Sequence, residues 1–216
     1  MPFQDRRDAG RQLAAALARY AAENPIVLAL PRGGVPVAAE VAKVLHAPLG
    51  LLIVRKIGLP QQPELAMGAL VDGDPPLVVR NPAVINAAGV SRAQFDKVSD
   101  RERIEARRRR DRYLGHRLAP ELAGRVVVVV DDGIATGASM RAALKAARIG
   151  KPQRIILAVP VAARDTLEAL RAEADDIVCL EAPTDLGAVG LYYADFDQVT
   201  DGEVVAALRR ASSVRP

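Results

Sequence analysis

Short apolar runs alternate with helical stripes along this chain. Residues 5–22 carry Leu13, Ala16, Leu17 and Tyr20 at helical spacing behind Asp5, a residue that caps helix starts, and Asn24-Pro25 closes the segment. Residues 26–30, Ile-Val-Leu-Ala-Leu, have no polar face, as expected of a strand buried on both sides. The turn Pro31-Arg32-Gly33-Gly34 leads to a helix over 35–45, and a second strand is predicted over 49–54. Residues 55–67 are polar and broken by prolines, which predicts a loop, and 68–72 with 77–80 suit a hairpin around Asp72-Gly73-Asp74-Pro75-Pro76. Residues 91–115 are helical and charged. Ser91 with Gln94, and Ser99 with Glu102, both have capping-box spacing, so the pattern allows one helix or two. Arg125 to Val130, with five consecutive valines, is the strongest strand in the chain. A helix to about 149, a strand over 154–160, a helix over 164–173 and a strand over 176–180 follow. Thr200 with Glu203 opens a last helix over 201–211.

This alternation predicts an α/β fold with a largely parallel central sheet flanked by helices. The 216 residues suit one domain, interrupted by a charged helical insertion at about 81–118 and extended from about 181 to 216. Val-Pro-Val-Ala-Ala occurs at 35–39 and again at 159–163, in different contexts, and reads as coincidence.

Composition sharpens this picture in three ways. Aromatics are 3% and tryptophan is absent, so the core must come from aliphatic side chains. No apolar run reaches the roughly 20 residues needed to span a bilayer, and the first residues lack the apolar stretch of a signal peptide. The lone Cys179 cannot form an internal disulfide; it reads as a core residue in a protein of the reducing cytoplasm. His46 and His116 read as ordinary residues, and no Cys/His set has zinc spacing. The net charge of +4 is concentrated. Residues 101–117 hold eight arginines and three acids, a local +5, which leaves the rest of the chain near −1. A solvated helix face is the plain reading of that run, and a nucleic-acid surface the sharper one.

The segment Val126 to Ser139 carries the chemistry. A buried strand delivers Asp131 and Asp132 to the carboxyl edge of the sheet, where open α/β folds bind ligands. Gly133, Gly137 and Ala138 let backbone N–H groups approach an anion, and the following helix adds its positive end, with Thr136 and Ser139 as hydroxyl donors. Carboxylates beside such a loop would repel a phosphate placed on them, but they can accept hydrogen bonds from a vicinal diol. Phosphate on the loop and diol on the acids describe a ribose 5-phosphate.

These residues resemble the phosphoribosyl-pyrophosphate signature of type I phosphoribosyltransferases: a hydrophobic strand, two acids, a short spacer, then Thr-Gly and a hydroxyl residue. Ala29-Leu30-Pro31-Arg32-Gly33-Gly34 resembles the family's pyrophosphate loop, and Val54-Arg55-Lys56-Ile57-Gly58 the start of its flexible loop. More narrowly, Glu64 to Ala69, the charged insertion, Ala188-Val189-Gly190 and Asp195-Phe196 look like a stand-alone group of predicted phosphoribosyltransferases. The resemblance implies transfer of a phosphoribosyl group from phosphoribosyl pyrophosphate to a nitrogenous base, with release of pyrophosphate. It implies Asp131, Asp132, Arg32 and Lys56 as catalytic residues. Ala135, Thr136, Gly137, Ala138 and Ser139 would form the 5-phosphate loop, and Arg32, Gly33, Gly34, Arg55 and Lys56 would bind pyrophosphate. Mg²⁺ would be held mainly through substrate and water, with no direct protein ligand. Relatives acting on 6-oxopurines carry an acid where this chain has Ala135, which disfavours those bases. Tyr192, Tyr193 and Phe196 are candidates to stack on the acceptor. Neither nucleic acid nor membrane is an expected partner, and a homodimer is left open. The alternative is a non-catalytic regulator that senses the same ligand and binds nucleic acid through the arginine-rich helix.

Overall fold

The computed structural model describes residues 2–73, 75–115 and 119–212, of which Ser212 is described by its backbone alone. Five parallel strands form the central sheet in the order β2-β1-β6-β7-β8, from Ile26–Ala29 (β1), Leu49–Leu51 (β2), Val126–Val130 (β6), Arg154–Val161 (β7) and Asp176–Glu181 (β8). The all-apolar runs are strands buried on both faces, and their side chains divide by parity. Val27, Ala29, Val126, Val128 and Val130 join one core, which also takes residues of α1 (Arg6–Leu17), α2 (Gly34–Val44) and α7 (Asp201–Ser212). Ile26, Leu28, Val127 and Val129 join the other, under α5 (Ala138–Ile149) and α6 (Arg164–Leu170). A strand that buries both faces has no use for alternating polarity, which is why these runs are unbroken. Asp5 caps α1 by accepting from the Asp8 amide, as its position predicts.

The chain winds in opposite directions from the middle of this sheet. β1 pairs outward with β2, whereas β6 leads the other way to β7 and β8. The switch point between β1 and β6 is where open α/β sheets form a crevice at their carboxyl ends.

A second, antiparallel sheet holds β3 (Val54–Gly58), β4 (Ala66–Val71) and β5 (Leu77–Arg80). The hairpin of the last two strands is as predicted, with Asp74 of its turn outside the described residues. Two expectations need correction. The strand expected over 49–54 is short, and Val54 already belongs to β3. The loop expected over 55–67 is instead two strand segments joined by residues 59–65. Val-Arg-Lys-Ile-Gly is polar because its strand is partly exposed: Ile57 is buried, while Lys56 reaches solvent. Ala69 and Val71 of this sheet pack on Ala142 of α5, and Ile57, Met67 and Leu70 join the core reached by the charged helix.

The region expected as an insertion holds α3 (Pro82–Ala87) and α4 (Arg92–Leu114). Ser91 and Gln94 form the capping box, and the helix runs on through Ser99 without a second start. Phe95, Glu102, Ala106 and Tyr113 are its buried stripe, at intervals of seven, four and seven; everything else on it meets water or partial cover. His116 and Arg117 lie outside the described residues. No described helix is long and apolar enough to cross a membrane.

Candidate active site at the sheet switch point

The carboxyl ends of β1 and β6 deliver two loops to one place. Residues 31–34 follow β1, and residues 131–137 follow β6. They touch so closely that a Cβ on Gly33 would lie 2.0 Å from Oδ2 of Asp132, and one on Gly34 2.9 Å from the Asp131 Cα. Only glycine permits that approach. The loop expected for pyrophosphate and the acid pair therefore share a single crevice.

Beyond the acids, Ile134 bridges to Ala162 and fixes the base of the loop before α5. Gly137 has φ +73°, a left-handed conformation that glycine adopts without strain. It turns the chain into α5, whose N-terminus has no side-chain cap. Ala135, Thr136, Ala138 and Ser139 are exposed there, while Thr166 donates its hydroxyl to the Ala135 carbonyl at 2.7 Å from behind. The sequence-predicted loop is thus an open helix N-terminus with free amides, which suits an anion.

The two acids differ in their surroundings. Asp132 accepts from Arg6 Nε at 2.7 Å, and its backbone carbonyl accepts from the Tyr193 hydroxyl at 2.5 Å. The Asp131 carboxylate accepts from the Asp132 amide at 2.9 Å. Desolvation, followed by the neighbouring Asp132 charge, pushes the Asp131 pKa well above the usual carboxylate range, partly offset by that amide and by Arg6.

Arg32 precedes Gly33 in the first loop, after a cis Pro31–Arg32 peptide. Its guanidinium is 3.7 Å from Asp201 at the start of α7. Asp201 also accepts from the Tyr113 hydroxyl at 2.6 Å and pairs with Arg112 at 3.0 Å. Those contacts, the Tyr113 hydrogen bond foremost, hold the Asp201 pKa below its ordinary value. The first loop is thereby tied to α4 and α7. The other two expected pyrophosphate ligands are engaged elsewhere. Arg55 donates twice to Glu102 of α4, at 2.9 and 2.6 Å, and Glu102 is buried. Lys56 donates to Glu64 across the hairpin at 2.9 Å. Adjacent residues of a strand point to opposite faces, so these two cations serve different neighbours.

The stacking candidates also divide. Tyr193 is 2% exposed, packed between Phe3 and Phe196 with ring centroids 5.3 and 4.9 Å away. Phe196 carries the Arg6 guanidinium 3.8 Å from its ring centre. Tyr193 is thus enclosed by other side chains, while Phe196 stays partly exposed with Arg6 and Tyr193 against it. Residues 189–192 form a short 3-10 turn in which Leu191 is 64% exposed and Tyr192 partly so, and Val189 lies against Gly133.

Arg6 is the site residue that sequence reasoning missed. One arginine near a helix start has no motif. The only hint was Asp195-Phe196, whose resemblance says nothing of what the pair would hold. Cys179 is half-buried, and burial pushes its thiol up to about 11, out of reactive range.

A family profile described as the phosphoribosyl transferase domain matches residues 4–195. The Mycobacterium tuberculosis protein named "Putative phosphoribosyl transferase Rv0571c" is 47% identical over 209 residues, covering 97% of this chain and 47% of that protein. The chain therefore spans about half the length of the curated relatives it matches. Among solved structures, TT1426 from Thermus thermophilus is 45% identical with a TM-score of 0.83, covering 97% of this chain and 99% of that one. AQ2163 from Aquifex aeolicus, at 14% identity and a TM-score of 0.50 over 84% of this chain and 78% of that one, shares the fold alone. The chain belongs to the phosphoribosyl transferase domain family.

Proposed function

We propose that the chain transfers a 5-phosphoribosyl group from phosphoribosyl pyrophosphate to a nitrogenous acceptor and releases pyrophosphate. The observation that carries this reading is the crevice at the switch point. There the Arg-Gly-Gly loop and the acid pair lie within contact distance, and the chain after the acids runs into a helix N-terminus without a side-chain cap. The 5-phosphate sits on the amides of Ala135 to Ser139, the ribose hydroxyls on the acid pair, and the pyrophosphate on Arg32 and the amides of Gly33 and Gly34. As the anomeric bond to pyrophosphate lengthens, positive charge grows on the ribose ring, as in glycosyl transfer generally. The acid pair lies close to that charge, and Arg32 offsets the charge on the departing group. Arg55 and Lys56 join the pyrophosphate only by leaving Glu102 and Glu64, which a closing hairpin would require.

Among the described residues no cluster of three His, Cys, Asp or Glu side chains could hold a metal. Mg²⁺ would be held through the oxygens of pyrophosphate, ribose and water, the ligands this ion prefers. Bound so, the ion supplies charge neutralisation on the leaving group. The acceptor approaches past Val189, Leu191 and Tyr192, and Ala135 offers no acid to a 6-oxopurine. Seven arginines of α4 (Arg92, Arg101, Arg103, Arg108, Arg109, Arg110 and Arg112) pair with acids of this chain, which accounts for the run as a salt-bridged surface helix without a nucleic-acid partner.

The test is pyrophosphate release from phosphoribosyl pyrophosphate and Mg²⁺ across a panel of bases. Base-dependent release supports the reading. Tight binding of phosphoribosyl pyrophosphate with no release on any base, together with salt-sensitive binding to RNA or DNA, would replace it with the regulator.

A further inference from the structure

We propose that Arg6 is a positioning residue that immobilises Asp132 and thereby leaves Asp131 as the acid that meets the ribose hydroxyls; this rests on the function proposed above. Three contacts converge on Asp132. The Arg6 Nε donates to its carboxylate at 2.7 Å, the Tyr193 hydroxyl donates to its carbonyl, and the Gly33 backbone closes the remaining side of the carboxylate. Arg6 is itself held. Its Nη1 donates to the Asp197 carbonyl at 2.7 Å and its planar face lies on Phe196. Side-chain exposure is only 11% for Arg6 and 15% for Asp132, so solvent does little to screen the pair. An arginine can donate along its edge while stacking with its face, and a lysine cannot do both.

The backbone supports the same assignment. The Phe3 amide donates to Tyr192, and the Ala194 and Asp195 amides donate to Phe3 and Gln4, so the segment before α1 and the segment after the 3-10 turn form one strap beside the acid pair. Asp131, in contrast, has no arginine bonded to it among the contacts described: its carboxyl accepts from the Asp132 amide and lies against the Asp132 carboxylate, which leaves lone pairs for a ligand. The charged and titratable groups around Asp131 are Asp132 on its own loop, Arg6 from α1 and Tyr193 from the C-terminal segment; the loop before α2 meets it with glycine backbone, and the guanidinium of Arg32 in that loop is drawn to Asp201 at 3.7 Å.

The experiment compares Arg6→Ala, Arg6→Lys, Asp132→Asn and the Arg6→Ala/Asp132→Asn double variant. Losing one charge-assisted hydrogen bond should lower kcat by about 10- to 100-fold in each single variant, with KM for phosphoribosyl pyrophosphate little changed. The double variant should be no slower than the slower single, because both substitutions remove the same pair. Arg6→Lys keeps the charge without the fork and should fall between parent and Arg6→Ala. A readout independent of turnover is the Asp131 carboxyl titration by ¹³C NMR. It should move to higher pH in Arg6→Ala and stay near the parent in Arg6→Lys. Unchanged titration and kcat in Arg6→Ala, a lower melting temperature alone, or a double variant as slow as the product of the two singles would overturn the assignment. A parent that releases no pyrophosphate on any base would sink the proposed function, and the NMR titration would still decide the role of Arg6.

Discussion

Gly33→Ala is a sharp probe of the crevice, because backbone strain cannot explain its outcome. Gly33 has φ −58°, which alanine adopts freely. On that count alone the substitution should stabilise the protein by about 0.4–1 kcal/mol through the unfolded chain. The added Cβ, however, would sit 2.0 Å from Oδ2 and 2.5 Å from Cγ of Asp132. That carboxylate cannot simply swing aside, since Arg6 holds it at 2.7 Å. Overpacking costs roughly 1–3 kcal/mol, and loss of the charge-assisted bond about 1.5–3 kcal/mol more if Asp132 moves. Net destabilisation should be about 2–5 kcal/mol, a fall in melting temperature of about 5–15 °C for a chain of this size. Turnover should fall by about 10²-fold with it, because the acid pair is displaced. Circular-dichroism melts and pyrophosphate release measure the two effects. Gly202→Ala, inside α7 and with its nearest neighbouring atom 3.8 Å from the new carbon, is the control, and the same unfolded-chain gain should let it melt about 1–4 °C above the parent. A Gly33→Ala protein that melts within 2 °C of the parent (roughly the shift from half a kcal/mol) and turns over normally would refute the close approach of the two loops.

Asp131→Asn should melt higher than the parent at pH 7. Asp131 holds its proton more tightly folded than unfolded, so its contribution to stability falls as pH rises from the unfolded value through the raised folded one. The amide removes that cost, and the gap should close as pH drops toward 4; a variant that melts lower at pH 7 contradicts the burial argument. Glu102→Ala strands Arg55 and should cost about 3 kcal/mol, at the low end for a broken buried pair because Arg55 is partly exposed, or about 6–12 °C in the melt. A melt unchanged by that variant would show the pair to be incidental. Arg32→Ala should weaken calorimetric binding of pyrophosphate by about 10- to 100-fold, and unaltered affinity would remove Arg32 from the site.

What could be read from the sequence depended on whether a residue acts locally or across the chain. The valine strand and the segment after it declare themselves because one stretch supplies the strand, the acids, the turn and the helix start. Gly33 and Gly34 were legible as a loop, but their contact with Asp131 and Asp132 was not, since nearly a hundred residues separate them. β3 was hidden for a different reason. A short strand with one buried side chain at Ile57 has no alternation strong enough to outweigh Arg55 and Lys56. The same two cations were assigned to pyrophosphate on resemblance, and in this conformation each is held by an acid that no local pattern pairs with it. Tyr193 and Phe196 matched the chemistry of base stacking, but only packing reveals that Phe3 and Arg6 already cover them.

The strap between residues 3–4 and 192–195 has a consequence for how the protein is made. Its partners lie some 190 positions apart, among the longest separations a chain of this length allows. Such contacts add to contact order and form late, once the sheet has brought their ends together. During synthesis Arg6 is made some 190 residues ahead of its stacking partner Phe196. Until then Asp132 has its own strand but not the platform that holds Arg6 against it. The parallel sheet can therefore be well formed in a nascent chain whose acid pair stays unset until residues 192–197 have been made.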